Sequence, residues 1–195
     1  DMTYVSAVAT QNQTGSVVKN TRYNQIIGME VVMTSGASVN LTQLKWTTTG
    51  CTNAADIDTA RVYYTGNSPV FATTTLHGTY VLNPNGSQTN NTTRALMPGT
   101  NYFWVAYSIK TGATTNNLVD ATFTALTVDG SPQTPTVVAP SGSRKIIPPY
   151  CTMTSAYNSS NGGITNVSLG SINNTTGLPA ANAIVTDYSS TLSTD

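Results

Sequence analysis

The sequence predicts an all-β protein: an antiparallel β-sandwich with an extended or partial β segment at its C-terminal end. Apolar and polar residues alternate with a period of two, which is typical of strands with one buried face. Short clusters of Gly, Pro, Asn and Ser separate the alternating segments and indicate turns. Only 8% of the residues are Asp, Glu, Lys or Arg, against about a quarter in an average soluble domain. Several short strands joined by turns favour a sandwich.

The clearest alternation lies in segments 26–33 and 101–109. The predicted core-facing residues are Ile27, Met29, Val31 and Met33 in the first segment, and Phe103, Val105, Tyr107 and Ile109 in the second. Further strands are predicted over 4–10, 41–48, 61–65, 75–82 and 118–128. Segment 53–59 predicts one helical turn, with Asn53 as its N-cap and Asp56 at its third position.

A change of composition after Val138 predicts a linker. Segment 139–150 mixes Pro and Gly with an adjacent basic pair, and Pro148 and Pro149 cannot donate hydrogen bonds to a sheet. We therefore expect a sandwich domain over residues 1–146, followed by a Pro-rich linker and a partial β segment over 147–195.

Charge and hydropathy narrow the expected partners. The net charge is zero and the pI is near 6.8, which is unfavourable for binding nucleic acid. No run reaches the roughly 18 apolar residues of a membrane-spanning helix, so membrane insertion is not expected. A surface rich in Thr, Asn and Ser suits a secreted or cell-surface protein whose partners are copies of itself, other surface proteins or glycans.

Several segments of the first 146 residues resemble the N-terminal domain associated with BNR-repeat neuraminidases. The matching segments are MTYVS at 2–6, NQIIGMEVV at 24–32, AADI at 54–57, ARVYYTG at 60–66, PGTNYFW at 98–104 and PTVVAPSGSR at 135–144. This resemblance implies a β-sandwich module of secreted, often multidomain, surface proteins of Bacteroidota.

The tail resembles the opening of a GEVED domain, another extracellular β module. The matching segments are YCT at 150–152, ITNVSL at 164–169, INNTT at 172–176 and TDYS at 186–189. From their number alone, Cys51 and Cys151 form one disulfide or remain two free thiols. The family pattern has a second cysteine near the start of the domain, and this chain lacks it, with residues 158–163 in its place. The resemblance therefore implies that Cys151 pairs with Cys51 or with another chain.

The residues do not predict an enzyme, a metal site or a cofactor. Asp-box motifs ending in Thr-Trp, which mark the catalytic propeller of neuraminidases, are absent from the sequence. His77 is the only histidine, and we expect it on a strand surface, without a nucleophile motif to serve. The four arginines, which we interpret as solvated charges, are Arg22, Arg61, Arg94 and Arg144.

Asp56 and Asp58 could join backbone carbonyls around calcium, but we favour capping of the short turn. Thr59 lies in Asp-Thr-Ala at 58–60, which resembles the O-glycosylation motif of Bacteroidota, and is a glycosylation candidate. Four aromatic residues are candidates for a glycan-binding platform, with burial in the core as the favoured alternative for the tryptophan: Tyr63, Tyr64, Tyr102 and Trp104.

Two functions fit these observations. The first is a non-catalytic structural or adhesion module, assembled into a surface filament by strand exchange between chains. The candidate inter-subunit strands carry Thr3, Tyr4, Val5 and Val8 near the N-terminus, and Ile164, Val167, Leu169 and Ile172 in the tail. The alternative is a carbohydrate-binding accessory domain of a secreted glycan-degrading enzyme.

Overall fold

The computed structural model describes residues 1–149, 166–169 and 172–175. The chain divides into two compact units, Asp1–Pro149 and Tyr150–Asp195. The first unit contains β1 (Tyr4–Thr10), β2 (Val17–Val18), β3 (Asn24–Met33), β4 (Asn40–Thr47), a 3₁₀ turn (Ala54–Asp56), β5 (Ile57–Tyr64), β6 (Val81–Leu82), β7 (Ser87–Asn90), β8 (Arg94–Ala95), β9 (Gly99–Ile109), β10 (Leu118–Val119), β11 (Thr122–Val128), β12 (Ser131–Gln133) and β13 (Arg144–Ile147). The second unit contains β14 (Asn166–Leu169) and β15 (Ile172–Thr175).

Two antiparallel sheets form the first unit, as the sequence predicts. One sheet has the order β1-β3-β9-β5-β6, and the other has the order β12-β11-β4-β7 with β8 also pairing with β4. A small third sheet, β10-β13-β2, contains a parallel pair between β13 and β2. The main core contains residues from both large sheets and is the interior of a β-sandwich. No helix among the described residues is long and apolar enough to cross a membrane.

The residues predicted to face the core are confirmed as buried in two neighbouring strands of the first sheet, β3 and β9. In β3, Ile27, Met29 and Val31 are fully buried and Met33 is 3% exposed. The predicted face of β9 also lies in the main core. The opposite face of β9 is buried as well, because Trp104 and Ala106 pack in a second, smaller cluster. A strand covered on both faces shows only weak apolar–polar alternation.

The predicted helical turn is a short 3₁₀ turn capped by Asn53, whose Oδ1 accepts a hydrogen bond from the Ala55 amide. Asp56 does not cap it, so that part of the interpretation is wrong. Its buried carboxylate accepts hydrogen bonds from the Thr114 amide at 2.8 Å and from Asn117 Nδ2 at 2.7 Å. Asp56 therefore ties the turn to the loop after β9.

Two predicted strands differ from the structure. Segment 75–82 contains only the short β6 and an isolated bridge at Leu76, since Gly78 has a φ of +80° that leaves the extended region. Segment 118–128 contains β10, which pairs with β13, and β11, which pairs with β4. Between them, Asp120 Oδ1 accepts a hydrogen bond from the Ala121 amide, where the chain changes sheets.

Segment 139–150 is not a linker throughout, because it contains β13, and the first compact unit ends at Pro149. Ile146 is fully buried in the main core. The Arg144 guanidinium donates hydrogen bonds to the carbonyl oxygens of Gly15, Ser16 and Gln25. Arg144 is thus a structural residue that fastens β13 to the sandwich, and its interpretation as a solvated charge is also wrong.

The N-terminal segment is not a free strand, contrary to its expected role as a strand donor. Tyr4 and Val8 lie in β1, which pairs with β3, and Val5 occupies an irregularity in that register. The Thr3 carbonyl accepts a hydrogen bond from the Thr34 amide. On its other side, β1 bonds to the segment around Val137. The backbone groups that strand exchange would use are therefore already paired within this chain.

In the second unit, β14 and β15 form an antiparallel pair. Val167 lies opposite Asn174, and Leu169 lies opposite Ile172. Ile164 and Cys151 fall outside the described residues. The part of the tail that the structure describes is therefore a short hairpin, consistent with the predicted β segment.

Candidate functional site

The outer face of the first sheet carries an aromatic cluster formed by Tyr63, Trp104, Phe71, Tyr102 and Tyr23. The rings of Tyr102 and Trp104 stack at 6.0 Å with an interplanar angle of 10°. Phe71 packs edge-on against both Trp104 and Tyr63. The Trp104 Nε1 donates to Thr65 Oγ1 at 2.8 Å, so the one polar atom of the indole is satisfied.

This cluster does not present the predicted glycan platform of four exposed rings. Trp104 and Tyr63 are only 2% and 4% exposed, because Phe71 and Tyr102 pack against them. Tyr64 belongs to the main core instead, where its hydroxyl donates to Asn101 Oδ1 at 2.7 Å. The structure thus brings three of the four candidates together, but mainly as a satellite core.

Arg61 lies at the margin of the aromatic cluster, between two partly exposed tyrosine rings. Its guanidinium carbon is 5.0 Å from the ring centroids of both Tyr23 and Tyr80, within the range of a cation–π contact. Arg61 Nη1 donates to the hydroxyl of Thr59 at 2.7 Å. Thr59 is only 6% exposed, so its glycosylation, which stays a prediction, would require this hydroxyl to leave a buried position.

A cleft at one margin of the sandwich, the edge cleft, has a volume of about 360 Å³. Trp46, Ala60, Val62 and Val81 supply its apolar lining, and its polar lining is Thr79, Thr89, Asn90, Asn91 and Thr92. None of these side chains is charged.

Two amides of the edge cleft are held in place by hydrogen bonds. Asn90 Nδ2 donates to the His77 carbonyl oxygen at 2.6 Å, and Asn90 Oδ1 accepts from the Thr92 amide at 2.9 Å. Asn91 Oδ1 accepts from Gln43 Nε2 at 2.8 Å, which leaves the donors of the Asn91 amide without a hydrogen-bond partner among the described residues. The cleft therefore offers amide and hydroxyl groups above a floor of core residues, because Trp46, Ala60 and Val62 are at most 3% exposed and Val81 is half-buried.

A second cleft of about 440 Å³, the Arg94 cleft, is formed by the segment after β5 and by β8. Its lining includes the hydroxyl residues Thr65, Ser68, Thr74 and Thr75. The Arg94 guanidinium carbon lies 5.2 Å from the ring centroid of Tyr64. Arg94 is therefore held against an aromatic ring, which differs from the solvated charge that the sequence predicts.

His77 is fully buried, so its predicted place on a strand surface is wrong. Its ring packs edge-on against Phe103 at 5.2 Å, and neither ring nitrogen has a hydrogen-bond partner among the described residues. Burial, with a smaller effect from the nearby Arg94 charge, lowers the pKa of His77 from 6.5 to about 4. His77 is therefore neutral at pH 7, and no carboxylate of the described residues is hydrogen-bonded to its ring.

Asp56 and Asp58 do not converge. The Asp56 carboxylate is buried and hydrogen-bonded, whereas Asp58 is exposed and lines a different cleft beside Arg22 and Lys110. Among the described residues, no group of three His, Cys, Asp or Glu side chains is placed to hold a metal ion.

Cys51 is a free thiol in the part of the chain that the structure describes. Its sulfur donates to the Asp120 carbonyl oxygen at 3.2 Å and accepts from the Asp120 amide at 3.3 Å. Burial, together with the negative charges of Asp120 and Asp56, raises the pKa of Cys51 to about 11. Its pairing with Cys151 stays a prediction, because Cys151 lies outside the described residues.

Sequence reasoning missed the two clefts. The one available signal was the polar run at 90–94, in which Asn90, Asn91 and Thr92 line the edge cleft and Arg94 lines the other. The pattern alone gives no reason to place this run beside Trp46, which lies more than forty positions away in the chain.

The comparisons with known proteins agree with this architecture. A family profile described as the N-terminal domain of BNR-repeat neuraminidase matches residues 5–132. Among solved structures, the chain is similar to "Hadza microbial sialidase Hz136", with a TM-score of 0.54 and 13% sequence identity. The match covers 73% of this chain and 31% of that chain, so it spans less than a third of the sialidase structure. At this identity the likeness shows the fold alone. No curated protein matches the chain.

Proposed function

The chain belongs to the family described as the N-terminal domain of BNR-repeat neuraminidase, and on that premise we propose that it is a non-catalytic, carbohydrate-binding accessory module. The module acts outside the cell, within a larger secreted or cell-surface protein. The domain that this family describes is associated with the catalytic neuraminidase domain and is not that domain. This supports a role in binding or spacing.

The lining of the edge cleft carries the proposal. Neutral sugars present many hydroxyl groups and a less polar ring face, and sites for them combine oriented hydrogen-bonding groups with apolar surface. The edge cleft offers the amide of Asn91 and the hydroxyls of Thr79 and Thr89 beside the half-buried side chain of Val81. Because its lining side chains are uncharged, it suits a neutral sugar unit.

A glycan array probed with the full chain tests this function. We expect binding to a subset of neutral oligosaccharides, and titration calorimetry should then show about tenfold weaker binding for Asn91→Ala, the loss that corresponds to about 1.4 kcal/mol. Asn12→Ala is the matched control, since Asn12 is exposed and does not line the edge cleft. Binding to no glycan, or equal losses in both variants, would contradict the proposal.

The second candidate is a structural or adhesion module. One observation favours it: the first sheet ends at the two-residue strand β6, which carries the exposed side chain of Leu82 (61%) and follows exposed Tyr80 (51%). Such an edge can accept another chain. Regular fibres in images of the native particle, together with an empty glycan array, would favour this function.

A further inference from the structure

We propose that the Arg94 cleft is a binding subsite for the carboxylate of an acidic sugar, with Arg94 as the residue that recognises the charge. The inference rests on the proposed carbohydrate-binding function and adds the chemical class of one sugar unit. The carboxylate can belong to a uronic acid or to a larger acidic sugar.

Most of the hydrogen-bond donors of the Arg94 guanidinium are unused in the structure. Of its five N–H donors, the structure uses one, from Nη2 to the Leu76 carbonyl oxygen at 3.4 Å. Arg94 Nε is buried and has no hydrogen-bond partner among the described residues. No acidic side chain lines the cleft. The positive charge thus lacks a counter-ion in the cleft wall, and a carboxylate provides both the charge and paired acceptors.

Tyr64 holds Arg94 in place. Its ring contacts both the Arg94 guanidinium and Phe103, whose centroid is 4.8 Å from that of Tyr64. The Tyr64 hydroxyl is bonded to Asn101, which is itself fully buried. Because the surface under the guanidinium is fixed by the core, little conformational entropy of Tyr64 is lost when a ligand binds.

The remaining lining favours a sugar over an acidic peptide. Thr65, Ser68, Thr74 and Thr75 place hydroxyl groups around the cleft, and its volume of about 440 Å³ lies in the usual range of small-molecule sites. Thr74, Thr75 and Arg94 line the Arg94 cleft, and residues a few positions further along or before them in the chain, at 79, 81 and 89–92, line the edge cleft. The two clefts are therefore neighbours along the same two segments, which suits an oligosaccharide with one acidic and one neutral unit.

Wild-type protein can be tested without any variant, by titrating the full chain with trigalacturonic acid and with its methyl ester. The ester removes the charge and keeps the sugar ring. A parallel arm compares 3′-sialyllactose with lactose, to distinguish the source of the carboxylate. We expect at least tenfold tighter binding of the acid in one arm, weakening as ionic strength rises.

Arg94→Gln should abolish this preference and leave the affinity for the neutral partner unchanged, and Arg94→Lys should keep part of it. Arg22→Gln removes the same charge from an exposed position outside the cleft and should have no effect. Melting curves establish that each variant folds.

Equal binding of acid and ester in wild type, tighter binding of a Glu-rich peptide, or an equal effect of Arg22→Gln would overturn the inference. Binding of neutral glycans alone overturns it and leaves the proposed function intact, whereas no binding of any sugar overturns both.

Discussion

At the scale of single residues, His77 shows how strongly environment changes a side chain's chemistry. An imidazole without hydrogen-bond partners is costly to bury, and its charged form is costlier still. Packing of the imidazole ring against Phe103 offsets part of this cost. The same burial that makes His77 unsuitable as an acid–base catalyst makes the fold sensitive to acid.

We predict that stability falls as pH drops from about 6.5 to about 4. The pKa of His77 is about 4 in the folded chain and near 6.5 when unfolded, so the unfolded state binds more protons over this interval. The corresponding loss is on the order of 3 kcal/mol at pH 4. Urea unfolding at several pH values measures it.

His77→Phe is the informative variant, because it keeps an aromatic ring and removes the titrating group. Its stability should depend less on pH than that of wild type between pH 4 and 6.5, and the difference between the two curves cancels the contribution of carboxylates. Parallel curves for the two proteins would show that His77 is not the group responsible.

At the scale of elements, the packing of β9 beside β3 depends on a glycine in β3. Gly28 lies opposite Trp104 in the register. A Cβ atom on Gly28 would lie 2.7 Å from Trp104 Cζ3 and 2.9 Å from Thr10 Oγ1. The indole therefore lies over the backbone of the neighbouring strand, which leaves no room for a side chain at this position.

Gly28→Ala should destabilise the first unit by about 2 kcal/mol, within the usual range for overpacking. Thermal unfolding followed by circular dichroism measures the loss, and Trp104 fluorescence should change with it. Gly15→Ala is the control, because a Cβ atom added to Gly15 would have no neighbouring atom within 4 Å. A Gly28→Ala protein as stable as the control would mean that the indole has another position available.

Strands were predictable where apolar residues fall at alternate positions of the sequence. Segment 26–33 was recognised as a strand because Ile27, Met29, Val31 and Met33 follow this pattern. The strand prediction for segment 75–82 was wrong because its residues have strand propensity, whereas the contacts of His77 set the path of the backbone at Gly78. The His77 amide donates to the Val62 carbonyl oxygen at 2.8 Å. Local propensity does not contain that contact, since it depends on where β5 lies.

At the scale of the whole molecule, the last strand of the first unit closes the sandwich. Ile146 is buried in the core, and β13 bridges β10 and β2. This strand joins residues from the beginning and the end of the unit, at a separation of about 130 positions between Arg144 and Gly15. Long-range pairing of this kind leaves little trace in local composition.

A chain ended after Pro149 should keep the cooperative unfolding transition of the first unit, whereas one ended after Ser143 should lose most of its stability. The expected loss is about 5 kcal/mol, from burial of Ile146 at about 2 kcal/mol and three hydrogen bonds of Arg144 at about 1 kcal/mol each. Differential scanning calorimetry distinguishes the two chains. Equal transitions would restore the interpretation of residues 144–147 as a linker.

The sequence by itself determined the fold class, most of the central strands, the Asn53 cap and the family, because these depend on local alternation, turn residues and short motifs. Only the tertiary structure decided which arginines are fixed, that His77 is buried, that Tyr64 lies apart from the outer aromatic cluster, and that β13 belongs to the sandwich. Each of these depends on which distant residues come together. A one-residue shift in strand register moves a side chain to the other face of a sheet. Pairing between strands far apart in the chain therefore determines both the burial of a residue and the chemistry of its side chain.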